Sequence, residues 1–224
     1  MIVIPFEAIE ERARERVGGF ADLAARLPRP KSGEELRAIP DDCYLSRMSR
    51  RILEVGCTPG FVDANWPAIE DRFMGFNPKH VQALTNEELD AGAHKGPTIG
   101  NQAKLRSIRD NAKALLRLVD GKRGMGSYIA DWPTDDIVGL WSDLATRFAR
   151  MGGKSAPYFM RMVGKDTFIL TDDVIRALNH WDAFMGNPQG KGARSEIQRV
   201  FNSWMHATSR PLCQISVILA HSCD

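Results

Sequence analysis

Residues 148–177 read FARMGGKSAPYFMRMVGKDTFILTDDVIRA. One amphipathic segment enters a Met151-Gly152-Gly153-Lys154-Ser155 turn and a second leaves it. Glycine frees such a turn from the Cβ clash that keeps φ negative. The segment that follows starts a helix, whose first N–H groups lack partners within the helix and sit at the positive end of its dipole. Helix, glycine turn and helix together present those groups to a phosphate. Beyond them, Phe168, Ile169 and Leu170 form a short apolar piece that reads as strand-like, and Thr171-Asp172-Asp173 opens another helix. The two aspartates are placed either to serve a reaction centre or to suit a first helical turn behind a Thr171 N-cap.

The rest of the chain supports a helical frame around this stretch. It has 224 residues, 43% hydrophobic and 26% charged, an ordinary composition for a globular protein of one sizeable domain or two small ones. The 30 basic and 28 acidic residues leave a net charge of +2, so any nucleic-acid contact must come from a local basic face and not from bulk charge. No apolar run approaches about 20 residues, and no membrane span is expected. The first residues are charged early and lack a signal-peptide layout, so a cytoplasmic location is expected. Cys43, Cys57, Cys213 and Cys223 show no C-x-x-C spacing, which reads as reduced thiols. Cys213, His221 and Cys223 cluster near the end without a fourth ligand, and no zinc site is expected.

Taken in order, residues 5–27 read as helix broken at Gly18-Gly19, with abundant i,i+4 charge pairs. Residues 28–40 hold three prolines and read as a connecting loop. Asp41-Asp42 then cap a helix with Leu45, Met48, Ile52 and Val55 on its inner face. Gly56 ends that helix, Thr58-Pro59-Gly60 marks a turn, and Trp66-Pro67 begins the next helix, carrying Ile69, Phe73 and Phe76. Asn77-Pro78 starts a short helix, and Thr85-Asn86-Glu87-Glu88 is a capping box. Residues 100–118 are the clearest long helix, with Leu105, Ile108, Ala112 and Leu115 inside and Lys104, Arg106, Arg109, Lys113 and Arg117 outside. Residues 121–126 read as a glycine-rich turn, and a helix from Pro133 leads into the central turn. A Gly/Pro/Lys loop at 186–192 and two further helices complete the chain. About ten helices and almost no strand signal define an all-α protein, read as two helical lobes with a cleft between them.

Several separated segments resemble, in the right order, the DNA-3-methyladenine glycosylase I family of the helix-hairpin-helix DNA glycosylases. They are LSRMSRRILEVG, WPAIEDRFMGFNPKHVQALTNEEL, IGNQAKLRSIRDNAKALL, the hairpin stretch and the terminal RPLCQISVILAHSCD. The likeness runs from about Asp41 onward, dividing the chain into an N-terminal extension and linker (1–40) and a glycosylase-like domain (41–224). It implies the all-α helix-hairpin-helix fold and excision of alkylated purines, chiefly 3-methyladenine, from double-stranded DNA by base flipping. A monomer is expected, with neither metal nor redox cofactor.

Carried over residue by residue, Gly152 falls on the second glycine of the family's hairpin turn and Arg150 on the first. Gly152, Gly153, Lys154, Ser155 and Tyr158 are the expected DNA contacts. Thr171 occupies the slot where related glycosylases carry an aspartate that stabilises charge on the sugar, and Asp172 follows as the candidate electrostatic group. Arg51 falls where well-known members use a glutamate to recognise the base. Glu54, one turn on, either takes that role or pairs with Arg50 or Arg51. The family's stacking tryptophan corresponds to Pro59, with Phe61 and Trp66 as substitutes. The base pocket is thus expected from Arg51, Phe61, Trp66 and Thr171, and catalysis from Glu54 and Asp172. The family's zinc ligands have no counterpart. The competing reading is a DNA-binding module that keeps the fold without base excision.

Overall fold

The computed structural model describes residues 5–91, 101–119 and 124–223. Among the described residues all regular structure is helical, with fourteen α-helices and no strand. By compactness it divides into two units. One comprises residues 1–31, 133–139 and 164–224; the other comprises residues 32–132 and 140–163. The first helices of the chain therefore group with its C-terminal helices.

In the first unit, α1 (Phe6–Val17) and α2 (Phe20–Arg26) are separated by the glycine pair, with Gly18 left-handed at φ 103°. Helix α1 packs on the last helix, α14 (Leu212–His221). Arg210 donates from Nε and Nη2 to the nearly buried Glu10 carboxylate at 2.9 and 2.7 Å, and Asp166 accepts the N–H groups of Leu212 and Cys213 at the start of α14. An aromatic core of Phe6, Phe168, Phe201 and Trp204 fills the space between α1 and α13 (Gly190–Thr208). The apolar piece Phe168–Leu170 is buried, but it forms no strand. A strand needs a partner ladder; here the Ile169 N–H donates to the Ser216 hydroxyl at 3.1 Å, so the segment's polar groups are met by a side chain.

The second unit is built on α4 (Asp41–Glu54), α8 (Gln102–Val119) and the hairpin helix α11 (Ser155–Val163), which pack α4 against both others. Tyr44, Leu45, Met48, Ile52, Leu105, Ile108, Leu115, Phe159 and Met160 are its buried centre. Several boundaries differ from those expected. The 28–40 stretch contains a short helix, α3 (Gly33–Arg37), because Ser32 and Glu35 form a reciprocal capping box. Asp41 and Asp42 lie in the first turn of α4 behind Pro40 instead of capping it; Asp41 accepts the Met125 N–H at 2.9 Å.

The helix expected to start at Trp66-Pro67 is α5 (Pro59–Arg72): Thr58 is its N-cap, Pro59 sits where a missing N–H costs nothing, and Pro67 lies inside it. Short α6 (Pro78–Ala83) and α7 (Asn86–Ala91) follow, each opened by the expected Asn77 and Thr85 caps. Of the glycine-rich 121–126 stretch, 121–123 lie outside the described residues, and Met125-Gly126 already belong to α9 (Met125–Asp131). A Cβ on Gly126 would lie 2.6 Å from the Leu36 carbonyl oxygen, so glycine there serves close packing of α9 on α3. Helix α10 (Ile137–Arg147) then leads to the turn, and α12 (Asp172–His180) begins after Thr171. The 186–192 loop is shorter than expected, since α13 starts at Gly190.

Candidate functional site

The hairpin turn between α10 and α11 is open and preformed. Arg150 adopts φ 63° and Gly153 φ 62°, both left-handed. Arginine thus keeps the conformation for which glycine is favoured, at a cost of about 1 kcal/mol. Between them Met151 is fully buried and anchors the turn. Gly152, Gly153 and Lys154 are exposed, and a Cβ on either glycine would meet no atom within 4 Å. Gly152, with neither a positive φ nor a crowding neighbour, has no steric need within the chain to be glycine. Ser155 is buried, and its N–H donates to the Gly152 carbonyl at 3.1 Å, closing the turn into α11.

Asn111 of α8 holds the turn from beneath. Its side chain, 1% exposed, accepts the Ala149 N–H at 2.7 Å and donates to the Ala149 carbonyl at 3.1 Å. The helix entering the turn is held as well: Asp143 accepts from Arg147 Nε at 2.6 Å and from the Tyr128 hydroxyl. Burial alone would raise the Asp143 carboxyl, but those two donors outweigh it and hold it below the usual carboxylate range. Burial, then the bond to Asp143, pushes the Tyr128 hydroxyl up.

Lys104, expected on the solvated face of α8, is 8% exposed. Its ammonium donates to the carbonyls of Leu53 (3.1 Å) and Val55 at the C-terminal end of α4, where a cation meets both unpartnered carbonyls and the negative pole of the dipole. Burial lowers its pKa; Cys57 acts against that shift and Arg150 of the hairpin adds to it. The end of α4 and the hairpin turn are thus electrically adjacent across one lysine.

On α4, Glu54 is held between two arginines. Its carboxylate accepts from Arg50 Nε at 3.2 Å and lies 3.9 Å from Arg51 Nη1, with the side chain 22% exposed. Arg50 also bonds Asp63 and lies over the Trp66 ring at 5.2 Å. Trp66 is half-buried and stacked on Phe76 at 5.5 Å, so its π surface already has two neighbours. Arg51 lies 4.4 Å over the Tyr158 ring of α11, and its buried Nε has no hydrogen-bond partner. Phe61 is half-buried on α5 and its carbonyl accepts from Asn65. Arg51, Glu54 and Tyr158 therefore meet in one cluster, with Trp66 joined to it through Arg50.

Thr171 and Asp172 belong to the other unit. The Thr171 hydroxyl accepts the Val174 N–H at 3.2 Å and is the N-cap of α12. Asp172 occupies the first turn of that helix, and the neighbouring Asp173 pairs with Arg176. Among the described residues no cluster of three or more histidine, cysteine or acidic side chains could hold a metal ion, and no helix is long and apolar enough to cross a membrane. Asn111, Lys104, Arg50 and Asp63 join these groups without having been expected at the site from the sequence. Asn111 left a sequence signal, a polar residue at the i+3 position from Ile108 on an otherwise apolar stripe, and Arg50 left another in its i,i+4 spacing to Glu54. No protein-family model, curated protein or solved structure matches the chain.

Proposed function

We propose that this protein is a monofunctional DNA glycosylase of the helix-hairpin-helix kind, hydrolysing the N-glycosidic bond of alkylated purines such as 3-methyladenine in duplex DNA. The observation that carries the reading is the hairpin: an exposed glycine turn, left-handed at Arg150 and Gly153, clamped by Asn111 and opening into α11 beside the exposed Lys154. Such a turn offers backbone N–H groups and a cation to a DNA phosphate. The protein would act as a monomer, with the damaged nucleotide rotated out of the duplex for excision.

The chemistry asked of the chain is modest. An alkylated purine carries a positive charge. When the C1′–N bond breaks, the electron pair leaves with the base and neutralises it, water bonds to C1′, and that water's proton goes to solvent. The protein needs to hold the base and stabilise a positive sugar. Asp172 is assigned the electrostatic part, and Glu54 with Arg51, Tyr158, Phe61 and Trp66 the recognition of the base.

One observation favours a second reading, a DNA-binding module without excision: Glu54 is already paired with Arg50, Thr171 is already a cap, and Asp173 is already paired. Base release from methylated duplex DNA separates the two. Release above the uncatalysed rate that Lys154→Glu abolishes supports the glycosylase. Salt-sensitive duplex binding without release supports the module and refutes the enzyme.

A further inference from the structure

A groove of about 470 Å³ lies between α6 and α8, lined by Lys79, Gln82, Lys113, Leu116 and Arg117. Three of its five lining residues are cations and none is acidic. Many other basic side chains of this unit are already paired: Arg37 with Asp131, Arg50 with Glu54 and Asp63, Arg106 with Asp90, Arg147 with Asp143, and Lys104 and Arg109 with backbone carbonyls. Lys79, Lys113 and Arg117 have no such partner among the described residues. Lys113 and Arg117 are one turn apart on α8, where like charges repel, and Lys79 adds a third cation from α6. Converging unpaired cations raise the local potential, and a polyanion entering the groove would relieve the repulsion.

The groove is not an extension of the hairpin surface. On α8 Asn111 faces the hairpin, whereas Lys113 and Arg117 lie two and six residues on, at about 200° and 240° around a helix of 3.6 residues per turn. They look away from the turn. The groove is open, its cations come from both helices, Gln82 adds a neutral donor, and Leu116 gives an apolar floor suited to the sugar edge of a backbone. We infer that the α6–α8 groove is a second nucleic-acid backbone site that holds a duplex segment other than the one at the hairpin, so that one copy of the chain bridges two segments.

The test uses the full chain, an undamaged short duplex, and the variant Lys79→Gln/Lys113→Gln/Arg117→Gln with its folding checked by circular dichroism. The slope of log affinity against log salt should shrink by two to three, since each phosphate contact contributes about 0.9. Lys154→Glu, which disables the hairpin alone, should leave that groove-dependent binding in place. A bead-bound duplex should capture a second, labelled duplex through the wild type and through neither variant. Were the triple variant to melt early, Lys79→Gln alone should reduce the slope by about one. An unchanged slope and undiminished capture in the folded triple variant would overturn the inference, as would groove-dependent binding of anionic vesicles or a phosphopeptide without duplex binding. Only the bridging arm rests on the hairpin reading. Absence of base release would sink the glycosylase and leave the groove standing, and the reverse also holds.

Discussion

Asn111→Ala removes the clamp beneath the hairpin, and the structure sets the size of the effect. The side chain is 1% exposed and makes two hydrogen bonds to Ala149. Each is worth about 1 kcal/mol net. Ala149 is itself exposed, so its N–H and carbonyl can rehydrate and the full penalty for a buried unpartnered group does not apply. The void left by the carboxamide adds about 1 kcal/mol. The sum is about 2–3 kcal/mol, a 30- to 150-fold change in the folded-to-unfolded ratio. Urea unfolding followed by circular dichroism should show a midpoint lowered by about 1 M. In buffer where the variant stays folded, its duplex affinity should also fall, because the turn is no longer held in its left-handed form. A stability loss under about 0.5 kcal/mol, below one typical hydrogen bond, would refute the clamp. Full duplex affinity in a destabilised variant would refute the link from clamp to DNA.

Other outcomes follow from the same geometry. Lys104→Met keeps the buried stem but strands the Leu53 and Val55 carbonyls, and should cost about 1–2 kcal/mol in the same urea assay; no loss would show that the lysine caps nothing. Arg150→Gly relieves a left-handed arginine and should stabilise by up to about 0.5 kcal/mol after the extra freedom of glycine in the unfolded chain is counted, whereas a clearly destabilised variant would mean that the arginine side chain holds the turn. His221 is pushed below its ordinary value first by burial and then by Arg26 and Arg16, against a raising effect of Asp173. The folded state therefore resists a proton that the unfolded chain accepts, and stability present above pH about 6.5 is lost as pH falls below it. His221→Gln should flatten that acid limb in pH-dependent melting, and a difference between the two proteins that stays constant with pH would contradict the assignment.

The helical frame was legible because its signals are local. Gly18-Gly19 breaks a helix, Asn77 and Thr85 cap, Leu105 to Leu115 repeat at helical spacing, and Met151-Gly152-Gly153 turns a hairpin, each within a few residues. What misled was local chemistry overruled at a distance. Pro67 reads as a helix start, yet α5 begins at Pro59 and passes through it. Lys104 has the sequence signature of a solvated residue, because nothing in a single chain reveals that α4 ends against its ammonium. Phe168–Leu170 has strand composition, but the hydroxyl of Ser216, 47 residues from Ile169, takes the place of a ladder. The site divided along the same line. The exposed turn and Lys154 could be found from sequence, whereas Glu54 has its environment set by Arg50, which in turn holds Asp63 and covers Trp66 on another helix. A carboxylate's role depends on its partners, and those partners are tertiary.

The central claim is that the hairpin delivers alkylated DNA to an excising pocket. Its most direct test is release of free base from methylated duplex DNA by the full chain, with the products identified and Lys154→Glu run beside the wild type. The account predicts 3-methyladenine released faster than from DNA alone, and a rate that returns to the uncatalysed value in the folded variant. Wild-type protein that binds the duplex and leaves every methylated base in place would contradict it.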